Sequence, residues 1–288
     1  MRPVVTHSIF KLLAKLLLLV IVIVAIWWLV AKPSHDRIWR PDYAKLPTVE
    51  WTSTSTAKIS NVRDWVFTDT TFPTDQNYTS KNINIEKLKK TWFLVEPFSK
   101  WSAVGHTFFT FEFEDGSTVV ASIEARREVG EEYSILKGLL PFFEYMYVWT
   151  TERDMYTNTT IFAGDKLYKY PLTISLPSQK NLLQRLLTRT HELETNPRFY
   201  NLLTSNCTNL LAQEANKVKP GSVPYHYSWI LTGYADSYLY SLGFIPNDVP
   251  FAELEEKSLI TPLIRKAVLI NDTATEKRFS DALEATSK

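Results

Sequence analysis

Apolar residues run unbroken from 16 to 31, and Phe10, Leu12, Leu13 and Ala14 extend the stretch toward the N-terminus. The total is about 22 residues, close to the ~20 needed to cross a hydrocarbon core. Lys11 and Lys15 can snorkel toward one interface while Trp27 and Trp28 sit at the other. The run closes in Trp-Trp-Leu-Val-Ala-Lys-Pro and not in a small-residue cleavage site, so the pattern predicts an uncleaved anchor over residues 1–33 and not a signal peptide. Arg2, Lys11 and Lys15 on one side face Lys32, Arg37 and Arg40 on the other. The short N-terminus is expected on the cytoplasmic side, with the bulk of the chain outside.

Beyond the anchor, residues 34–50 show little periodicity and predict a juxtamembrane linker. Residues 51–270 predict one domain, and 271–288 a polar tail whose low hydrophobicity is compatible with disorder. Within the domain, 58–67 reads as a strand and its approach, and 83–94 as a mixed segment ending in another strand. The clearest hairpin follows. Residues 106–113 alternate, Glu114-Asp115-Gly116 supplies turn chemistry, and 118–126 alternate back. The spacing predicts a helix over 133–149 broken near Pro141, a strand over 166–176, and an amphipathic helix over 178–194 opened by a Ser cap. Asn206 is a suitable cap for a further helix that starts at Cys207 and places Leu210, Leu211, Ala215 and Val218 at helical spacing. The fold class expected is α+β with an antiparallel sheet.

A net charge of +1 gives no electrostatic reason to expect nucleic acid. Among eight glycines there is no Walker-type or Gly-x-Gly-x-x-Gly loop, which argues against nucleotide chemistry. The five histidines, His7, His35, His106, His191 and His226, lack zinc-ligand spacing, so no metal or other cofactor is expected. Aromatic residues make up 14% of the chain and are dense over 225–244; they suit a groove against lipid, and core packing explains them nearly as well.

Cys207 is the only cysteine, so no internal disulfide can form. At a helix N-terminus, N–H groups and the positive dipole end favour thiolate over thiol, which makes Cys207 a candidate nucleophile; the alternative is a small inert core residue. The hairpin pattern supplies candidate partners. Matching the apolar faces of its strands across a three-residue loop with Gly in the left-handed position places Glu124 opposite His106, with Ser122 on the same face. A carboxylate holding one imidazole nitrogen leaves the other to take a thiol proton. The alternatives are a strand histidine on a polar face and an ion pair of Glu124 with Arg126 or Arg127.

A hydrophobic hairpin opening with His, followed about a hundred residues later by Asn-Cys-Thr at a helix start, resembles the circularly permuted papain-like thiol enzymes of the NlpC and lecithin:retinol acyltransferase kind. More specifically, His106-Thr-Phe-Phe-Thr-Phe-Glu-Phe, Ser122-Ile-Glu-Ala-Arg-Arg-Glu, Thr151-Glu-Arg-Asp154 and Phe199-Tyr-Asn-Leu-Leu-Thr-Ser-Asn-Cys-Thr208 resemble the N-terminal periplasmic domain of the Lnb-type lipoprotein N-acyltransferases. The similarity covers roughly 50–245, with four segments in the same order. It implies a permuted papain-like domain, Cys207 as nucleophile, His106 as base, and Glu124 or Ser122 as the residue that orients the base. Asn206 and the N–H of Cys207 would serve the helix cap and oxyanion. Arg126, Arg153, Tyr200 and Asn201 are candidates for substrate contact. Full-length members can carry a multi-span region after this domain, whereas this sequence shows one N-terminal span.

The function expected is a periplasmic cysteine acyltransferase anchored in the bacterial inner membrane. A membrane phospholipid would be its acyl donor, and a lipoprotein N-terminus or other amine its acceptor. A thiol hydrolase acting on cell-wall peptide or lipid at the same site, and a non-catalytic tethered binding module, are the alternatives.

Overall fold

The computed structural model describes residues 4–73, 75–270 and 275–286. Helix α1 (Val4–Val30) is continuous, and its segment Ile9–Val30 is long and apolar enough to cross a membrane. Strands β1 (Thr48–Trp51), β2 (Thr56–Arg63), β3 (Tyr78–Asn84) and β4 (Leu88–Pro97) follow, then the hairpin β5 (Gly105–Phe113) and β6 (Thr118–Arg126). A short helix α2 (Ile135–Gly138) leads into β7 (Glu144–Thr150), α3 (Glu152–Thr157) and β8 (Tyr168–Pro171). The rest is helical: α4 (Leu176–Thr195), α5 (Cys207–Val218), α6 (Ala235–Ser241), α7 (Phe251–Ser258), α8 (Thr261–Leu269) and α9 (Glu276–Thr286).

The strands form one eight-stranded sheet in the order β1-β2-β7-β6-β5-β4-β8, with β3 also on β2. All pairs are antiparallel except β2 with β7. The central hairpin has the predicted register: Phe109 pairs with Ala121 and Phe111 with Val119. Its loop closes because Gly116 takes φ +79°, a conformation that costs glycine little, and donates its N–H to Phe113 O.

One face of the sheet packs Phe109, Phe111 and Trp149 against Leu183, Leu186 and Leu187 of α4 and Leu210 and Leu211 of α5. Each such side chain contributes about 1.5–3 kcal/mol when fully buried. The other face is covered too: Leu94, Phe108 and Val120 meet Tyr156 of α3, Ile264 of α8 and Phe279 of α9. Between α3 and the sheet lies a buried ion pair. Arg63 Nη2 is 2.7 Å from Asp154 Oδ1, Arg63 Nε is 2.9 Å from Oδ2, and that oxygen also accepts the Trp65 N–H.

Coverage of both faces explains the largest correction. The helix expected over 133–149 is only the single turn α2; the segment beyond Pro141 is strand β7, buried at all seven positions. A strand buried on both sides has no alternation to read. The amphipathic helix begins earlier than predicted, capped by Ser175, whose hydroxyl accepts the Ser178 N–H. The expected tail is not free, since α9 buries Phe279 and Glu276 pairs with Lys81 at 2.6 Å. Residues 271–274 and 287–288 of that tail lie outside the described residues.

The expected linker is a strap. Ser34 N donates to Glu144 Oε1, His35 Nε2 to Leu193 O, and Arg40 N to Arg127 O, while Trp39 pairs with Glu128. The Arg126 guanidinium lies 4.1 Å from the Trp39 ring centroid and donates to Tyr43 O and Ala44 O. Trp39 and Tyr43 are buried, and β1 begins inside the predicted linker range. The end of α1 is fastened as well, with Trp27 edge-on to Phe142 and Trp28 edge-on to Phe199.

Candidate functional site

Two devices fix the start of α5. Asn206 Oδ1 accepts the Asn209 N–H at 2.7 Å, and its Nδ2 donates to Leu202 O and Trp229 O. The cap therefore also ties the helix to the segment over 225–234. That segment is seated on β5 by a close backbone approach: a Cβ on Gly233 would stand 1.9 Å from Ser102 O, and Thr232 Oγ1 accepts the Gly105 N–H. Of the first-turn N–H groups, that of Asn209 is taken by the cap, while those of Cys207 and Thr208 have no acceptor within the helix.

Cys207 is the first residue of α5 and is 6% exposed. Thr208 Oγ1 lies 2.9 Å from Thr107 Oγ1, which holds the helix start on β5 beside His106. The β5–β6 register, continued from the pair Phe108–Ser122, sets His106 against Glu124. His106 Nε2 is 2.6 Å from Ser122 Oγ and 2.9 Å from Glu124 Oε1, and the Ser122 hydroxyl donates to that same carboxylate at 2.6 Å. Both candidate orienters thus hold one ring nitrogen. The Cys207 sulfur has Thr208 Oγ1 at 3.9 Å.

The electrostatics follow from this arrangement. Burial acts to raise the Cys207 pKa, yet the thiol is pulled below its ordinary value by the His106 charge and by hydrogen bonding from His106 and from the Thr107 N–H and hydroxyl. Burial acts to lower His106, and the charges of Glu124 and Cys207 outweigh it, lifting the imidazole well above its usual range. Glu124 is held at about 2: burial would raise it, but the His106 charge and hydrogen bonds from His106 and Ser122 prevail. Both shifts run in the direction of thiolate and imidazolium. Alkylation of Cys207 is expected to stay fast below the pH at which an ordinary thiol stops reacting. Alkylation rate against pH, with His106→Ala alongside, checks this. An ordinary thiol profile in the unsubstituted protein would refute the ion pair.

Two site residues escaped the sequence reading, Glu96 and Tyr133. Glu96 on β4 pairs across the ladder with His106, and burial pushes its carboxyl up to about 8 against the lowering influence of the His106 charge. His106 thus has a carboxyl group on each neighbouring strand, Glu124 shifted down and Glu96 shifted up. Registering β4 on β5 would have found Glu96, but the loop over 98–104 is too long to fix the parity. Tyr133 joins Tyr200, with hydroxyls 3.3 Å apart, and both have their pKa raised by burial with the nearby Cys207 contributing.

The other candidates for substrate contact have structural tasks. Asn201 builds the turn before α5, its Oδ1 accepting from Leu203 N and Thr204 N and its Nδ2 donating to Leu139 O. Arg126 binds the strap, and Arg153 pairs with Asp64 at 2.8 Å.

An apolar cavity of about 380 Å³ lies between the sheet, α4, α5 and α6, and neither Cys207 nor His106 is among its lining residues. Thr107 and Thr208 stand in its wall, and Phe93, Leu182, Leu211 and Phe244 line the remainder. The volume falls within the range of small-molecule sites, about 300–1,000 Å³.

Fold and site define a mixed α/β domain, headed by one helix apolar enough to cross a membrane, that buries a cysteine–histidine–carboxylate cluster at one end of its sheet. The chain belongs to the family of the Lnb N-terminal periplasmic domain, whose family model matches residues 74–232. The match takes in His106, Ser122, Glu124 and Cys207 and leaves α1, the strap and α6 to α9 outside it. No curated protein and no solved structure matches the chain. A periplasmic domain behind one candidate span is consistent with a single-pass membrane protein.

Proposed function

We propose that this protein is a cysteine acyltransferase of the bacterial inner membrane, with a permuted papain-like site in which the histidine strand precedes the cysteine helix. The Cys207–His106–Ser122/Glu124 cluster carries the reading. The Cys207 thiolate attacks the carbonyl carbon of a phospholipid ester, and the C–S bond forms as the carbonyl π pair moves to oxygen. The N–H groups of Cys207 and Thr208, which have no acceptor within α5, would hold that oxyanion. Collapse breaks the ester C–O bond, and His106 gives its proton to the departing lysolipid alkoxide. The neutral imidazole then takes a proton from the acceptor amine, plausible chemistry for a lipoprotein N-terminus, as the nitrogen attacks the thioester. The amide forms, the C–S bond breaks, and thiolate and imidazolium are restored. The apolar cavity supports a lipid substrate, since it offers an acyl chain a dry space whose wall includes Thr208, the neighbour of Cys207.

Intact-protein mass spectrometry after incubation with a diacyl phospholipid tests the reading. The expected result is an adduct of one acyl chain that hydroxylamine removes and that Cys207→Ser lacks. Release of free fatty acid with no amide formed on an added amine would make the enzyme a hydrolase. Intact lipid and an unmodified thiol would end the enzymatic reading.

A further inference from the structure

Strand directions put the site and the anchor at one end of the sheet. β5 begins at Gly105, β6 ends at Arg126 and β7 begins at Glu144, and these ends are adjacent because the pairs are antiparallel, with Arg126 against Glu144. His106 and Glu124 therefore lie at the end where Trp27 packs on Phe142 and where Phe199 pairs with Glu144. β7 is two strands from β5, about 10 Å across the sheet. Trp27 and Trp28 close the apolar span Ile9–Val30, the position at which tryptophans settle in a membrane interface. A bilayer spanned by α1 would have its boundary level with Phe142 and Phe199.

The same end carries exposed apolar side chains. Pro97 pairs with Gly105, so the loop over 98–104 belongs to this end, and its Trp101 is 72% exposed. Helix α2 follows β6 here and exposes Leu136 at 70%. The turn before Cys207, fastened to α2 by Leu202 N to Gly138 O, exposes Leu203. At the opposite end, the β5–β6 turn consists of the exposed Glu114, Asp115 and Gly116.

We infer that this end of the domain is a lipid-docking face: Trp101, Leu136 and Leu203 enter the headgroup region of the bilayer that α1 spans, and the Cys207 site opens at the membrane surface. The occupant follows from continuity, because the apolar patch adjoins the end of a helix whose own partner is lipid. Apolar side chains of this kind bury about 5–10 Å into the headgroup and acyl boundary. Docking concerns position alone and does not depend on the proposed chemistry.

The test places a nitroxide label at Trp101→Cys, Leu136→Cys, Leu203→Cys or Glu114→Cys, each in the full chain with Cys207→Ser so that one thiol is present. The proteins are reconstituted in phosphatidylethanolamine/phosphatidylglycerol vesicles, and collisions with oxygen are compared with collisions with a water-soluble nickel chelate. Labels at 101, 136 and 203 are expected to favour oxygen, as lipid-embedded sites do. The label at 114, about 25 Å further along the hairpin at the rise of a β-strand, is expected to favour the chelate. Fewer than two of the three in lipid, or lipid exposure at 114 equal to theirs, overturns the inference. An aqueous result leaves the thioester experiment untouched, and absence of a thioester leaves this one untouched.

Discussion

Cys207→Ser is expected to abolish lipid-derived acyl transfer while the protein stays folded. The exchange is nearly isosteric at a position 6% exposed, so packing should change little. The chemistry should change greatly, because an alcohol in the same place is almost entirely un-ionised whereas the thiol has its pKa lowered beside His106. His106→Ala should cost about 10²–10⁴-fold, the usual contribution of a positioned acid–base group, and should raise the thiol pKa by removing the charge that offsets burial. Glu124→Gln should do less damage than His106→Ala, since Ser122 still meets Nε2. Rates of transfer to a model amine, measured with folding checked by circular dichroism, decide the matter. Near-normal transfer by Cys207→Ser would refute the thiol mechanism.

Asp154→Ala is expected to be the most destabilising single change outside the site. It leaves the Arg63 guanidinium, 4% exposed, without its counter-charge and removes the acceptor of the Trp65 N–H. Breaking a buried ion pair from one side typically costs about 3–5 kcal/mol, a large share of the 5–15 kcal/mol that holds a typical domain together. At roughly 2–4 °C per kcal/mol for a domain of this size, the melting midpoint should fall by about 10 °C. Replacing both partners, Arg63→Met with Asp154→Leu, should recover much of the loss because no charge is then stranded. A fall of under about 3 °C for Asp154→Ala, read by thermal melting in detergent, would show that the pair contributes little.

What could be read in advance divides along physical lines. The central hairpin was legible because a three-residue loop with one left-handed glycine fixes the register, and with it the meeting of His106, Ser122 and Glu124. The start of α5 was legible because the Asn206 cap is a local interaction. β7 was not legible, since Tyr145, Met146, Tyr147, Val148 and Trp149 are all buried and strand and helix patterns coincide in such a run. Nor was the strap, whose donors and rings find partners more than a hundred residues away at Glu144 and Leu193. The approach of Cys207 to His106 belongs to the same category. Only packing of α5 on β5 brings them together, so local pattern supplies each residue type and never the distance between them.

The fastening of the strap bears on how far the domain can travel. A flexible linker of that length would let a tethered domain wander over about 20 Å. Here the residues that could have supplied slack are committed to Glu144, Leu193, Arg127 and Glu128, and the last aromatic residues of α1 are wedged against Phe142 and Phe199. Rotation of the helix about its own axis must carry the domain with it. With α1 spanning a bilayer, the domain would be held at a fixed height and in one orientation, free to move only by lateral diffusion in two dimensions.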